Sequence, residues 1–249
     1  MKTILITGAS SGFGWEMAKL FAKNGYGIVA VARREDRLKK LKKKIKENIL
    51  TIKLDVSDKK EVFKKLSNLP KPFDKVDILV NNAGFALGLD GANEAKLEDW
   101  EKMVDVNIKG LLYVTKALLP NMIKQKSGYI FNIGSTAGTW PYEGGNVYGA
   151  TKSFVRQFSL NLRTDLKGTN IRVTNVEPGL AKTEFSLTRF KGDDKKAKNV
   201  YDGTKPLVAK DIANIIYFCA SNPSHVNINT LEVMPTCQSF GGLSVEKLN

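Results

Sequence analysis

The amino-acid sequence predicts an α/β fold, in which a doubly wound parallel sheet of about seven strands is covered by helices on both faces. Short, fully apolar runs such as residues 28–32 alternate along the chain with longer segments whose apolar residues recur at helical spacing. Strands that are buried on both faces have this continuous apolar pattern. No linker, internal repeat or low-complexity stretch divides the chain, so we expect one domain over residues 1–249.

The predicted strands and helices alternate strictly. Strands are expected at residues 3–7, 28–32, 49–54, 76–80, 129–133, 171–176 and 229–234. Helices are expected from Phe13 to Gly25 and at residues 37–46, 58–69, 97–126 (as one or two helices, with a kink at Pro120), 147–166 and 207–220. Residues 179–206 have no clear periodicity and are rich in Lys, Gly and Asp. We predict an irregular, lid-like substrate loop there, because long loops in compact domains usually serve function.

Composition argues against several classes of protein. No apolar run approaches the roughly 20 residues of a membrane helix. The chain enters a strand-like run at once, so we expect no signal peptide. Cys219 and Cys237 lack the spacing of metal or redox sites, so each is expected to be a small packed hydrophobe, and no metal is predicted. These observations predict a soluble cytoplasmic protein.

The formal net charge of +14 raises the alternative of a nucleic-acid-binding protein. The lysines, however, are spread along predicted helices, as in residues 39–44, and lack the interleaved aromatic residues of a base-stacking surface. We interpret them as a solvated surface that would favour anionic small molecules, with no nucleic acid as partner.

A glycine-rich loop follows the first strand. Its residues are Thr7, Gly8, Ala9, Ser10, Ser11, Gly12, Phe13 and Gly14. Glycines permit a tight turn and let the backbone approach a pyrophosphate, while the following helix supplies free N–H groups and the positive end of its dipole. Because the loop joins the first strand to the first helix of a βαβ unit, it predicts a dinucleotide site in a Rossmann-type fold.

A second group of residues is suited to hydride-transfer chemistry. Tyr148 and Lys152 share one face of a predicted helix, and Ser135 follows the fifth strand, at the edge where open α/β sheets bind ligands. A free tyrosine, with a pKa near 10, is a poor base, but the Lys152 ammonium together with an oxidised nicotinamide would favour its phenolate. Ser135 would hydrogen-bond the substrate oxygen. A second pair at this spacing, Tyr201 and Lys205, is set aside because nearby glycine and proline argue against a helix.

These motifs resemble, in order and over essentially the whole chain, those of the short-chain dehydrogenases/reductases. The further matching positions are Asp55, Asn81-Asn82-Ala83-Gly84, Asn107, Pro178-Gly179 and Thr183. The resemblance implies that Asp55 contacts the adenine and that Thr183 holds the nicotinamide carboxamide. It also implies that Lys152 binds the ribose hydroxyls and that Asn107 orders a water-linked proton path. The expected catalytic residues are Asn107, Ser135, Tyr148 and Lys152. The expected cofactor-binding residues are Gly8, Ser10, Ser11, Gly12, Phe13, Gly14, Arg33, Arg34, Asp55, Val56, Asn82, Ala83, Gly84, Tyr148, Lys152, Pro178, Gly179 and Thr183.

The choice of nicotinamide cofactor is set where the second strand ends. Arg33 and Arg34 lie at this point, whereas Glu35 and Asp36 are expected to begin the next helix. Arginines here pair with the 2′-phosphate of NADP, and Ser10 could add a hydroxyl donor. The sequence therefore predicts NADP as the cofactor.

The substrate is indicated by a closer resemblance within the family. Residues 134–142, 144–152, 154–163, 189–194 and 225–229 are similar to those of the NADP-dependent 3-hydroxy acid dehydrogenases. That group acts on serine, allo-threonine and 3-hydroxypropionate and reduces malonic semialdehyde, which implies a small 3-hydroxy acid as substrate. Residues 180–183 are one residue shorter than in the bacterial members, which leaves fine substrate preference open.

A hydroxy acid needs a cation for its carboxylate, and Arg189 and Lys182 are candidates, with solvated loop charges as the alternative. Together with Arg189, the expected substrate residues are Ser135, Trp140 and Tyr148. Two other functions remain open. One is reduction of another small carbonyl, such as a 3-oxoacyl thioester or a diketone. The other is a non-catalytic nicotinamide-binding regulator, which the intact catalytic group disfavours.

The resemblance also implies a homotetramer, assembled through residues 97–126 and 147–166 and the C-terminal strand. Four apolar residues would give the second of these helices a packable face: Phe154, Val155, Phe158 and Leu162. The uncharged tail, residues 236–243, could cross to a neighbouring subunit.

Overall fold

A computed structural model describes residues 1–240 of the chain. The strands are β1 (Thr3–Thr7), β2 (Gly27–Ala32), β3 (Ile49–Lys53), β4 (Ile78–Asn81), β5 (Gly128–Ile133), β6 (Ile171–Pro178), β7 (Ala181–Lys182), β8 (Leu207–Val208) and β9 (Thr230–Val233). Seven of them form a parallel sheet in the order β3-β2-β1-β4-β5-β6-β9, and β7 pairs with β8 in a small second sheet. The predicted doubly wound sheet is thereby confirmed.

Helices cover both faces of this sheet. They are α1 (Gly12–Lys23), α2 (Glu35–Ile45), α3 (Lys59–Leu66), α4 (Leu97–Val104), α5 (Leu111–Gln125), α6 (Asn146–Asp165), α7 (Phe185–Arg189), α8 (Asp194–Asn199) and α9 (Ala209–Ser221). Apolar side chains of α1, α2 and α9 pack on one face, and those of α3, α5 and α6 pack on the other. Strand β1 serves both layers, because Ile4 and Ile6 join the first cluster and Leu5 joins the second.

The order of the sheet determines where a ligand can bind. Strand β1 has β2 on one side and β4 on the other, so the direction of winding reverses at β1. A crevice forms at the carboxyl ends of strands where the winding reverses, because the two connections leave in opposite directions. The glycine-rich loop after β1 and the turn after β4 therefore meet at this crevice.

The segment at residues 97–126 differs from the expected pair of helices. A π-helical segment, Asp105–Gly110, joins α4 to α5, and Pro120 lies inside α5. The widened turn carries Asn107 inward, where its amide oxygen accepts from the Phe85 N–H and its amide nitrogen donates to the Phe85 carbonyl. These bonds join residues 22 positions apart, so helical periodicity alone did not indicate the π-helical segment.

The prediction of an irregular segment at residues 179–206 was wrong. The segment, called the lid below, contains β7, α7 and α8, and Leu207 begins a strand rather than a helix because its N–H donates to Leu180. Asp193 caps α8, and the Tyr201 hydroxyl donates to the Ala181 carbonyl at 3.1 Å. Each of these elements has only two to six residues, which is too short for apolar periodicity to reveal.

The cysteines behave differently from each other. Cys219 is buried, as predicted, whereas Cys237 is exposed, so the expectation that it packs as a hydrophobe was wrong. Between residues 1 and 240, no helix has the length and apolarity needed to cross a membrane. The same residues contain no group of three or more His, Cys, Asp or Glu that could hold a metal ion.

Candidate active site

The carboxyl ends of the sheet strands open into a cavity of about 710 Å³. Of the predicted site residues, those that line it are Gly8, Ser10, Ser11, Gly12, Phe13, Arg33, Arg34, Asp55, Val56, Asn82, Ala83, Gly84, Ser135, Trp140, Tyr148, Lys152, Pro178, Gly179, Thr183 and Arg189. Gly14 and Asn107 are buried behind its wall, and Lys182 is exposed outside it. Strand ends that converge on one edge of the sheet bring these distant positions together.

The glycine-rich loop brings backbone to the cavity where a side chain would not fit. Gly12 has a φ of +51°, in the left-handed region that favours glycine. A Cβ at Gly14 would lie 2.5 Å from the Gly8 carbonyl oxygen, which real Cβ atoms essentially never show. Helix α1 begins at Gly12, so the unpaired N–H groups of its first turn lie at the cavity wall. A pyrophosphate suits this position.

The loop is tied to the turn after β4 by Thr7. The Thr7 hydroxyl accepts from the N–H groups of Asn82 and Ala83, each at 3.0 Å, and the Asn82 amide nitrogen donates to the Thr7 carbonyl at 2.8 Å. Thr7 is buried, so these bonds are shielded from water. They hold the two walls of the cleft at a constant separation.

The residues that line the cavity just after β2 are Arg33 and Arg34, and not the acidic residues that follow them. The Nε and Nη2 atoms of Arg34 donate to the Ser10 hydroxyl at 3.2 and 3.1 Å, and Nη2 also donates to Ser11 at 2.6 Å. Arg33 Nη1 lies 3.7 Å from an Asp55 carboxylate oxygen. Glu35 begins α2 and pairs with lysines outside the cavity. The arrangement presents a fork of donors and hydroxyls that suits a phosphate.

The catalytic candidates lie on the floor of the cavity. Tyr148 and Lys152 project from one face of α6 and are only 8% and 6% exposed. The Lys152 ammonium donates to the Ile133 carbonyl at 2.7 Å and lies 5.9 Å from the centre of the Tyr148 ring. The Ser135 hydroxyl accepts from the Ala137 N–H at 3.1 Å, which fixes its position at the end of β5.

Burial dominates the acid–base properties of this pair. It raises the pKa of Tyr148 to about 12, against the opposing effects of a hydrogen bond with Ser135 and the positive charge of Arg189. It also lowers the pKa of Lys152 to about 8, because a buried ammonium is poorly solvated. We expected Lys152 and an oxidised nicotinamide together to favour the phenolate. That expectation concerns the complex with the cofactor and stays a prediction.

Asn107 and Lys152 both lie against Gly84, in the turn after β4. A Cβ built at Gly84 would lie 3.1 Å from the Asn107 amide oxygen and 3.5 Å from the Lys152 ammonium. Besides its two bonds to Phe85, Asn107 donates to the Thr151 hydroxyl at 3.1 Å. These partners hold Asn107 between the turn after β4 and α6.

Arg189 is the cation at the other end of the cavity. Its guanidinium carbon lies 5.0 Å from the centre of the Tyr148 ring and 5.2 Å from that of Phe185. Its Nη2 donates to the Tyr142 hydroxyl at 2.7 Å, whereas its buried Nε has no hydrogen-bond partner. A guanidinium at this position suits an anionic group placed beside Tyr148.

Trp140 lines this end of the cavity with the C-terminal segment. Its ring centre lies 4.7 Å from that of Phe240, and its indole N–H donates to Glu232 at 2.7 Å. The Gln238 side-chain oxygen accepts from the Leu180 N–H at 2.6 Å. Up to Phe240 the tail therefore contacts its own chain, and its crossing to a neighbouring subunit stays a prediction. Residues 241–243 lie outside the described part of the chain.

Several cavity residues were missed by sequence reasoning. They are Phe85, Tyr142, Glu184, Phe185, Gln238 and Phe240. Tyr142 and Glu184 adjoin predicted positions, so their neighbourhood was a usable signal. The tail residues carry no motif and reach the cavity through their contacts with Trp140 and Leu180.

Comparisons with known proteins agree with this geometry. A family model described as short chain dehydrogenase matches residues 2–194. The chain is 55% identical over 245 residues to the NADP-dependent 3-hydroxy acid dehydrogenase YdfG of Salmonella typhi, covering 98% of this chain and 99% of that one. It is 51% identical over 243 residues to the serine 3-dehydrogenase of Agrobacterium fabrum, covering 98% and 97%.

A solved structure described as the closed form of serine dehydrogenase complexed with NADP+ is also similar. It matches with a TM-score of 0.97 and 51% identity, covering 99% of this chain and 100% of that one. The family expected from the sequence motifs is confirmed: the chain belongs to the short-chain dehydrogenase/reductase family, and it is an oxidoreductase.

Proposed function

We propose that this enzyme moves a hydride between NADP and the C3 hydroxyl or carbonyl of a small 3-hydroxy acid, such as serine, allo-threonine or 3-hydroxypropionate. The observation that carries the proposal is Arg189, a cation that lines the cavity with its guanidinium carbon 5.0 Å from the centre of the Tyr148 ring. Relatives named as NADP-dependent 3-hydroxy acid and serine dehydrogenases, more than half identical over nearly the whole chain, support it.

The residues present fit NADP. The cradle at Gly12 and Gly14 leaves room for a pyrophosphate, and the fork of Arg33, Arg34 and Ser10 suits a 2′-phosphate. Thr183 lies against this cradle, because a Cβ at Gly12 would be 3.4 Å from it. When bound, the cofactor supplies the hydride acceptor and a positive charge. Asp55, Val56, Ala83, Gly84, Pro178 and Gly179 would form the rest of its walls.

Tyr148 would handle the proton of the substrate hydroxyl, and Ser135 would donate to the substrate oxygen as negative charge develops. Lys152 lies close enough to stabilise a Tyr148 phenolate through its charge. With an ordinary tyrosine pKa near 10 raised further by burial, the phenol needs this charge to act as a base near neutral pH. Asn107 would help to hold Lys152 and the proton path behind it.

A carboxylate on the substrate distinguishes this proposal from the alternatives. The reacting part of a 3-oxoacyl thioester or a diketone has no carboxylate to pair with Arg189. A non-catalytic regulator is disfavoured because Ser135, Tyr148 and Lys152 meet in one cavity. Lys182, the other candidate for the carboxylate, is exposed and outside the cavity, so we assign the role to Arg189.

The test is NADPH formation with serine, allo-threonine, 3-hydroxypropionate and 3-hydroxybutyrate, each compared with its methyl ester. We expect a higher kcat/KM for an acid than for its ester. Arg189→Leu should raise the KM for the acids at least tenfold, because a charged hydrogen bond is worth about 1.5–3 kcal/mol. Lys182→Leu is the matched control and should leave the KM unchanged. Equal kcat/KM for acid and ester, or a larger effect from Lys182→Leu, would refute the proposal.

We also infer a homotetramer in the cytoplasm, with residues 1–249 as one domain and residues 179–206 as its lid. Phe154 and Phe158 stack on the outer side of α6 with ring centres 5.8 Å apart, and Phe218 on α9 is 64% exposed. Phe154 and Phe158 are half-buried, and partly exposed aromatic side chains such as these suit an interface between subunits. Val155 and Leu162, which we expected on the same face, are buried in the core instead. Light scattering at micromolar concentration tests this assembly, and a monomer mass would refute it.

A further inference from the structure

Glu184 joins the lid to the end of β2. Its two carboxylate oxygens lie 2.8 Å from Arg34 Nη1 and 3.4 Å from Arg37 Nη1. The partners are 150 and 147 residues apart in sequence, so the contact is a tertiary link between two parts of the chain. Glu184 directly follows Thr183 in the lid and precedes α7. The link therefore crosses the mouth of the cleft in which the cofactor is proposed to bind.

Arg34 uses different sides of its guanidinium for its different partners. Nε and Nη2 donate to Ser10 and Ser11, whereas Nη1 donates to Glu184. A phosphate can replace serine hydroxyls on the first side while Nη1 keeps Glu184. The contact with Glu184 is therefore compatible with a bound 2′-phosphate. The TM-score of 0.97 to the closed serine dehydrogenase structure with NADP+ favours the same interpretation.

Helix α7 extends this link to the substrate end. The Glu184 carbonyl accepts from the Thr188 N–H at 3.1 Å and from its hydroxyl at 3.2 Å, so Glu184 is bonded into the start of the helix. The last residue of the same five-residue helix is Arg189. The short helix α7 therefore links two places. Glu184, just before its start, contacts Arg34 and Arg37, and Arg189, at its end, lies beside Tyr148.

We propose that Glu184 is a positioning residue that latches the lid over the bound cofactor through Arg34 and Arg37. Release of the cofactor then requires both ion pairs to break, and the latch holds Arg189 in place through α7. The proposal rests on the proposed placement of NADP, with its 2′-phosphate at Arg34. Because the latch acts on the lid, it slows the release of NADPH and of NADH alike.

The experiment measures cofactor release without any hydroxy acid, so its result is independent of the proposed substrate. NADPH or NADH is displaced by excess oxidised cofactor in a stopped-flow instrument, and the loss of nicotinamide fluorescence gives the dissociation rate. The variants are Glu184→Gln, Arg37→Gln and the double variant. Glu94→Gln is the matched control, since Glu94 is exposed and makes no ion pair within residues 1–240. Each rate is measured at low and at high KCl.

Glu184→Gln should release both cofactors about fivefold faster at low salt, near the upper limit for partly exposed ion pairs. Adding Arg37→Gln should speed release no further, and high KCl should bring the parent close to the variant. Unchanged rates, an equal effect in Glu94→Gln, or faster release of NADPH alone would overturn the proposal. Slower release of NADPH would overturn it as well, because Glu184 would then compete with the 2′-phosphate.

Discussion

The cofactor end of the cleft and its substrate end are built from different kinds of contact. At the cofactor end, backbone atoms of the glycine-rich loop pack closely against one another. The buried Thr7 hydroxyl joins this loop to the turn after β4. At the substrate end the contacts are between side chains: Arg189 contacts Tyr142 and Tyr148, and Trp140 contacts Phe240. Trp140 and Phe240 are 39% and 59% exposed.

This difference predicts how each end tolerates change. Backbone packed against backbone cannot adjust, so a side chain at Gly14 would displace the loop itself. Side chains on a lid can be exchanged with little effect on the sheet, because they contribute few contacts to its core. We therefore expect related enzymes to keep the same residues at the cofactor end. Differences in substrate specificity should come from residues at the substrate end. Tyr148 and Ser135 lie where the two ends meet.

The largest expected effect is at Tyr148. Tyr148→Phe removes the proton donor and acceptor while keeping the ring that contacts Phe185 and Arg189. We expect normal folding and cofactor binding, with a loss of several orders of magnitude in kcat. Steady-state kinetics with NADP, alongside NADPH binding measured by fluorescence, checks this. Activity within tenfold of the parent would rule out Tyr148 as the acid–base residue.

The next largest effect is expected at Ser135, whose hydroxyl lies where the cofactor end and the substrate end of the cleft meet. Ser135→Ala removes a donor to the substrate oxygen, and it also removes the acceptor of the Ala137 N–H. We expect kcat to fall about 10²–10³-fold with little change in the dissociation constant of NADPH. Ser135→Thr retains the hydroxyl and is the control. A KM effect without a kcat effect would place Ser135 in substrate binding alone.

The cofactor end can be tested through its arginines. Two charged hydrogen bonds, each worth about 1.5–3 kcal/mol, should favour NADP over NAD by at least a hundredfold in kcat/KM. Replacing Arg33 and Arg34 by alanine should remove most of this preference. Efficiency with NAD should change by no more than about fivefold, the share expected from loss of the Glu184 latch. Equal efficiency of the parent enzyme with the two cofactors would contradict the assignment.

Sequence reasoning succeeded at the cofactor end for a physical reason. The seven strands of the main sheet were predicted within two residues at each end, because continuous apolar runs mark strands buried on both faces. Since strand ends converge on one edge, motifs that follow the strands were expected to lie together. The π-helical segment Asp105–Gly110 and the contacts of Glu184 were missed because they depend on side-chain bonds between distant residues, and the elements of the lid were missed because they are too short to show periodicity.

The smallest expected effect is on the free energy of unfolding, and it involves Lys152 on the floor of the cavity. Lys152 is 6% exposed, and burial lowers the pKa of its ammonium to about 8, below the ordinary value of 10.5. Between these values the unfolded chain binds more protons than the folded one, so this group makes the parent more stable as pH rises from 8 to 10. Below pH 8 the cost of the buried charge is present in full. The pKa of Tyr148, raised to about 12, acts in the opposite direction, but only above pH 10.

Lys152→Met should therefore inactivate the enzyme and stabilise the fold. Each unit of pKa corresponds to about 1.4 kcal/mol, and loss of the hydrogen bond to Ile133 offsets part of the gain. We expect the free energy of unfolding at pH 7 to rise by about 1–2 kcal/mol, with the difference from the parent shrinking towards pH 10. Urea unfolding at both pH values measures this, and Lys124→Met, at an exposed lysine of α5, is the control. A difference that does not depend on pH would show that the buried ammonium does not limit stability.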